Sequence, residues 1–267
     1  MLKTQSNGPI TRIRLARTWL GRPLYGVNAY LVDGLLIDTG CPATARELSG
    51  WCRERGIQQV VNTHHHEDHS GGDGMLQRTL RVPLSVPELA VPILARFPRL
   101  QPYRRLVWGQ PKNVTVESLG SHVETDNYRF EVIRTPGHSL DHVVFFEPVQ
   151  GWLFSGDLFI HERVALLRAD EDAVTTLASL RMVMERRPQL MVCSHAGFVE
   201  DACAALQRKT GYWEQLAHQA QALHQQGHSL REVTHRLLGQ EGSMTRFTMG
   251  HFAKINLIRS LLGERPS

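Results

Sequence analysis

The chain is short of cysteine, of net charge and of long apolar runs, and each shortage excludes a class of protein. Cys41, Cys52, Cys193 and Cys203 are the only cysteines in 267 residues, and no two form a CxxC pair. Such sparse thiols do not build a disulfide framework and are expected to stay reduced. A formal net charge of +4 beside 42% hydrophobic residues excludes a disordered polyelectrolyte. No stretch approaches the roughly 18 uninterrupted apolar residues that a membrane span needs. Lys3, Arg12, Arg14, Arg17 and Arg22 punctuate the first thirty residues with no apolar block between them, so no secretory leader is read there. The expectation is a cytoplasmic globular protein without a membrane partner, made of one large domain and a small appendage.

The small net charge is unevenly spread. Residues 202–267 hold eight basic and four acidic residues, which leaves residues 1–201 balanced at 22 of each. Between Glu88 and Glu117 lie Arg96, Arg99, Arg104, Arg105 and Lys112 and no acid. A basic patch concentrates anionic ligands, although a solvated face has the same composition.

Short strands alternate with helices over the first 200 residues. Val27–Val32 and Leu35–Ile37 flank Asp33-Gly34, a hairpin turn. Val60-Val61, Phe130–Ile133, Val143–Phe146, Trp152–Phe154 and Leu190–Cys193 are further apolar runs closed by turn residues. Helical patterns cover Ala43–Arg55, Asp73–Arg78, Val86–Phe97 and Asp172–Glu185, the third shortened or kinked by Pro87 and Pro92. This rhythm predicts an α/β sandwich over residues 1–201. From about residue 202 the period is helical throughout. Trp213, Leu216, Ala217, Ala220 and Leu223 share one face, Ser229 and Glu232 form a capping box, and Phe252, Ile255, Ile258 and Leu262 mark a last helix. Residues 202–267 are therefore expected as a C-terminal helical domain whose apolar stripes pack on the sandwich, walling a pocket or a homodimer interface.

The sharpest signal is Thr63-His64-His65-His66-Glu67-Asp68-His69-Ser70-Gly71-Gly72. At this chain's His and Asp frequencies an HxHxDH string arises by chance with probability on the order of 10⁻³. It follows the run Val60-Val61 and precedes a glycine pair, a strand-to-helix loop of the kind where α/β proteins place their sites. His64 and His66 can point one way from an extended backbone, and Asp68 and His69 another, which suggests two metal ions. His138, Asp157 and His195 each stand just past an apolar run beside a small residue. Together these residues supply the nitrogen and oxygen donors that a pair of ions requires.

Leu36-Ile37-Asp38-Thr39-Gly40, the HxHxDH loop, His138, Asp157 and His195, in that order, resemble the metallo-β-lactamase superfamily over roughly residues 20–200. The resemblance implies a four-layer αβ/βα sandwich with a binuclear site at one edge. It implies that His64, His66 and His138 hold one divalent ion, that Asp68, His69 and His195 hold the other, and that Asp157 bridges them. Zn²⁺ suits such donors best, and Fe or Mn also fits. With Asp68-His69 also intact, Asp157 and His66 make the chain resemble the glyoxalase II-like hydrolases. They set it apart from true β-lactamases, which often carry Cys at the first position, and from the flavodiiron branch, which carries Glu at the second. Ser194-His195-Ala196-Gly197 stands where Pro-Gly-His-Gly is commoner, and the Asn-Pro motif of glyoxalase II is missing. The tail, with His251–Leu257, looks closer to β-lactamase-like hydrolases with a C-terminal helical appendage, some of which cut single-stranded RNA.

The mechanism so implied is attack by a hydroxide held between the two ions, with Asp68 as the catalytic group that orients it and accepts its proton. Asp38 is read as holding a ligand histidine, and His142 as a buried hydrogen-bonded histidine rather than a ligand. His65 and Glu67 are expected to face solvent. His161 is placed within reach of substrate, and Arg104 and Arg105 on a stiff basic lid over residues 90–112 that closes on an anionic or amphipathic substrate. The leading functional reading is hydrolysis of a small-molecule thioester, lactone or related ester. The alternatives are a nucleic-acid phosphodiesterase, endoribonuclease-like, and a regulatory protein that retains the metal site.

Overall fold

A computed structural model describes residues 1–264; the last three residues of the expected C-terminal domain lie outside the described residues. The first sheet runs in chain order from β1 (Leu2–Asn7), β2 (Ile10–Trp19), β3 (Arg22–Val32) and β4 (Leu35–Ile37) to β5 (Gln59–Val61), β6 (Leu84–Val86) and β7 (Glu117–Ser118). Its first four strands pair antiparallel and its last four parallel. The parallel steps need crossovers, and these carry the helices α1 (Ala45–Cys52), α2 (Asp73–Leu80), α3 (Val91–Ala95) and α4 (Pro102–Val107).

The second sheet comprises β8 (His122–Glu124), β9 (Arg129–Arg134), β10 (Val143–Glu147) and β11 (Trp152–Gly156), then β13 (Leu190–Cys193) and β14 (Gly197–Val199). β11 and β13 are parallel, with α5 (Ala173–Met184) as their crossover. Asp172 caps α5 by accepting from the backbone N–H of Thr175. Between β11 and α5, β12 (Leu167–Arg168) leaves this sheet and pairs with β15 (Phe252–Ala253) of the tail.

The two sheets face each other through Ile10, Tyr30, Val32, Phe130, Phe145 and Phe154. Helices α1 and α2 cover the outer face of the first sheet through Leu48, Cys52 and Leu76. On the outer face of the second, α5 is joined by α6 (Ala202–Gln225) and α9 (Lys254–Leu261). The result is an α/β sandwich, as the pattern of runs predicts, in the four-layer αβ/βα arrangement that the resemblance implies.

The tail completes itself with α7 (Leu230–Leu238) and α8 (Ser243–Phe247). The Ser229–Glu232 capping box forms in both directions at the start of α7. Trp213 of α6 and Leu257 and Leu261 of α9 belong to the same buried cluster as Leu153, Leu180 and Met191 of the sandwich. The sequence pattern misses β1 and β2. The edge strand β1 exposes five of its six residues, so it shows no buried face. Val86 ends β6 instead of opening a helix, because Pro87 starts a short turn and α3 begins only at Val91.

Candidate metal centre

All seven donor residues come together at one end of the sandwich, from four strand ends. His64, His66, Asp68 and His69 lie in the loop after β5, His138 after β9, Asp157 after β11 and His195 after β13. They form two groups in which ligating atoms lie within 4.8 Å of one another: His64, His66 and His138, and Asp68, His69, Asp157 and His195. Asp157 stands between them. Its Oδ1 lies 3.3 Å from the Nε2 atoms of His69 and His195, and its Oδ2 lies 3.3 Å from His138 Nε2. Asp68 Oδ2 is 3.8 Å from His69 Nε2 and 3.9 Å from His195 Nε2.

Four of the five histidines are held from behind. His69 Nδ1 donates to Asp38 Oδ2 at 2.8 Å, and His195 Nδ1 to the Gly26 carbonyl at 3.3 Å. His138 Nδ1 meets Glu171 Oε1 at 3.3 Å, and His64 Nδ1 meets the Thr63 hydroxyl at 3.0 Å. Each contact leaves Nε2 on the side of the cluster, the arrangement that orients metal-binding imidazoles. His66 differs. Its Nδ1 is 2.9 Å from His138 Nε2, and its Nε2 is 2.9 Å from the Arg168 guanidinium, which can only donate.

Burial and the carboxylates set the electrostatics of the cluster. Burial, together with the neighbouring histidines, pushes His64 well below the ordinary imidazole range. Burial lowers His66 in the same way, helped by Arg168. Burial opposes charge on His69 and His195, but the surrounding carboxylates together outweigh it and raise both, Asp157 with Asp38 and Asp68 at His69 and Asp157 with Asp68 at His195. Burial would raise Asp157; His195, His69 and His138 hold it well below the carboxylate range instead. His64 Nε2, His69 Nε2 and Asp157 Oδ1 are buried with no hydrogen-bond partner. Unpartnered buried donors of this kind are rare, and divalent cations satisfy them. The residues present fit the group that the motif implies.

Several residues around the donors fix the loops. Asp38, with φ +62°, accepts from the Thr63 backbone N–H at 2.8 Å as well as from His69. His142 accepts from the Asp157 backbone N–H at 3.0 Å, and its Nδ1 lies 2.8 Å from the Thr135 hydroxyl. Both of its nitrogens are thus used, and burial pushes it down to about 3. Gly156, at φ +49°, lets this contact form, because a Cβ there would stand 2.7 Å from His142 Nε2. Asp141 grips the loop through the His65 backbone N–H at 2.7 Å and His65 Nδ1 at 2.8 Å.

Two expectations need correction. Glu67 does not face solvent; it is buried and takes Arg104 Nε at 2.7 Å and Arg104 Nη2 through its second oxygen. His65 is half-buried on Asp141. Arg104 does reach the cavity beside the cluster, whereas Arg105 and His161 are not among its lining residues. The Arg105 carbonyl accepts from Arg17, and His161 Nδ1 accepts from the Arg163 backbone N–H. The sequence reading also passed over Glu171, Arg168 and Lys209, which line that cavity. Arg168 and Glu171 follow Asp157 by more than ten residues with no motif around them, and only the β12–β15 pairing brings the first into place.

Known proteins resemble this chain in sequence and in fold. Residues 22–195 match the sequence profile of the metallo-beta-lactamase superfamily. A Beta-lactamase-like protein 2 homolog of Drosophila melanogaster is 28% identical over 189 residues, covering 67% of this chain and 61% of that protein. A hydroxyacylglutathione hydrolase of Thiobacillus denitrificans is 31% identical over 159 residues, covering 59% of this chain and 54% of that protein. The chain thus spans rather more than half the length of these two relatives. A beta-lactamase domain protein from Burkholderia ambifaria shares the fold with a TM-score of 0.72 at 15% identity, over 97% of this chain and 87% of that one. With its profile match running from β3 to the last donor, His195, the chain belongs to the metallo-β-lactamase superfamily.

Proposed function

We propose that this chain is a metal-dependent hydrolase that holds two divalent ions, Zn²⁺ by preference of its donors, and cleaves a small-molecule thioester, lactone or related ester. In this reading His64, His66 and His138 hold one ion, Asp68, His69 and His195 the other, and Asp157 lies between them. The observation that carries it is the Asp157 carboxylate, with one oxygen toward each histidine group, its own Oδ1 buried and unpartnered like His64 Nε2 and His69 Nε2. Bound ions of this kind make water more acidic and polarise a carbonyl oxygen. The chain's own part is to position and to move a proton. Asp68, at the cavity face of the cluster, orients the attacking water and takes its proton. Asp38, Glu171 and the Gly26 carbonyl keep the imidazoles turned inward.

The thioester preference is supported by the Thiobacillus relative's name, since an acylglutathione is a thioester. The alternative, a phosphodiesterase gripping nucleic acid through a basic tail, draws on cations that the fold uses internally. Lys209 is buried, and Lys254 Nζ donates to the carbonyls of Leu238 and Gln240 at 2.6 and 2.8 Å.

The test is metal content beside turnover. About two ions per chain are expected by elemental analysis. His64→Ala should lose metal, Asp157→Ala should impair both positions, and a chelator should abolish hydrolysis of thioesters. Unchanged stoichiometry in both variants, or hydrolysis of phosphodiesters alone, would overturn the reading.

A further inference from the structure

A cavity of about 330 Å³ opens on the donor cluster, and most of its wall is carbon. His66, Asp68, His138, Asp157 and His195 form one end. Away from them the wall is built by Val107 and Trp108 at the end of α4, Val164 and Leu166 after β11, and Met244 and Phe247 of α8. The tail keeps that wall in place. Trp213 Nε1 donates to the Val164 carbonyl at 2.9 Å, and Asn256 Nδ2 to the Leu167 carbonyl at 3.1 Å.

Three cations also reach the cavity, and each is already engaged. Arg104 is paired with Glu67, and Arg168 lies 3.0 Å from Asp170 and 3.2 Å from Glu171. Lys209 Nζ donates to the Leu158 carbonyl at 2.8 Å and to that of Phe159, with the Trp213 ring 5.0 Å away. A charged group carried into this space would find each cation already paired and would lose its water. A hydrocarbon chain loses nothing there and gains by burial.

We propose that this cavity is an acyl-chain site, and that the substrate is a thioester or ester whose acyl half is an uncharged hydrocarbon chain. The reacting carbonyl sits at the His/Asp end, the chain lies between α4 and α8, and the polar thiol or alcohol half faces solvent. The chemistry at the carbonyl rests on the hydrolase reading above; the occupancy of the cavity does not. In the thioester case the oxygen of water bonds to the acyl carbon and the carbon–sulfur bond breaks. One proton of the water passes to the leaving thiolate, and the other is released from the acid product.

The experiment uses N-acetylcysteamine thioesters of acetyl, butanoyl, hexanoyl, octanoyl and succinyl groups on the metal-loaded full chain. Values of kcat/KM should rise about three- to fourfold per methylene until the cavity is full. Succinyl, similar in length to butanoyl but charged, should fall at least about tenfold below it. Met244→Trp, which places an indole in the cavity, should compress the octanoyl-to-acetyl ratio by about tenfold or more. In the same preparation, S-octyl-N-acetylcysteamine has no carbonyl to attack; its binding is read from the fluorescence of Trp108 and Trp213 and should be weakened by Met244→Trp. A flat chain-length profile, or a preference for succinyl, overturns the acyl-chain site and leaves the hydrolase reading standing. Binding that tightens with alkyl length while no ester is turned over supports the site and overturns the hydrolase reading.

Discussion

Asp73, at the start of α2, is a buried carboxyl held by the Thr39 hydroxyl and the Asn62 amide. The Gly72 N–H donates to the Thr39 hydroxyl at 3.1 Å, and that hydroxyl lies 3.0 Å from the His69 carbonyl and 2.6 Å from Asp73 Oδ1. A hydroxyl has one proton to give. Its closest acceptor is Asp73, and the His69 carbonyl already accepts from the Thr39 backbone N–H at 2.7 Å. Burial nonetheless pushes Asp73 up to about 8, against the hydrogen bonds of Thr39 and Asn62 that oppose it. The unfolded value lies near 3.8, so between about pH 4 and pH 8 the native state holds a proton that the unfolded chain lacks. Stability from this group is therefore present at low pH and lost as pH rises through that window, by up to about 1.4 kcal/mol per pH unit. Asp73→Asn removes the titration. Urea midpoints taken from pH 5 to pH 8 should fall less steeply in the variant than in the parent. Parallel slopes would mean that Asp73 is ionised in the folded protein.

At the scale of elements, α4 docks on the ligand loop through one buried pair. The Glu67 side chain is 1% exposed and that of Arg104 14%, so neither charge is screened by much water. Arg104→Ala strands a buried carboxylate and should cost about 3–5 kcal/mol, whereas Arg104→Met with Glu67→Leu should recover most of it. Denaturant unfolding of both variants checks this; an Arg104→Ala loss below about 1 kcal/mol would show that the pair merely decorates the surface. The same pair marks the limit of what was legible in the sequence. The candidate donors are legible because each is a metal-ligand type at the end of an apolar run, a local property. So are the sandwich strands and the capping box of α7. The partnership of Glu67 with Arg104, 37 residues apart, is set by how the 90–112 segment folds back, and no spacing rule carries it. The approach of Arg168 to His66 depends on a β12–β15 pairing of two residues in each strand, too short to leave a periodic trace. For the same reason the aromatics of that segment divide between roles that composition cannot separate. Phe97 packs on the core of the first sheet, while Tyr103 lines the cavity and reaches His251 of the tail at 2.5 Å.

For the whole molecule, the question is whether the tail is an appendage or part of the sandwich. A separate unit would keep its apolar residues in a core of its own. Here Ala220, Val233 and Ile258 make such a core, but it is small. Trp213, Leu216, Leu257 and Leu261 instead share one cluster with Leu153, Leu180, Val183 and Met191 under the second sheet. Ser260 strengthens the join by accepting from the Ala173 N–H at 2.7 Å, at the first turn of α5. Unfolding the tail alone would expose the outer face of that sheet and loosen the 158–168 segment that Lys209, Trp213 and Asn256 hold beside the donors. The two parts should therefore unfold together, in one calorimetric transition whose van't Hoff and calorimetric enthalpies agree. Trp213→Ala, which empties the largest fully buried side chain, should lower stability by about 3–5 kcal/mol and shift that single transition as a whole. Two resolved transitions, with only the first moved by Trp213→Ala, would instead make the tail an independent domain and the cavity wall that it supports a docked surface.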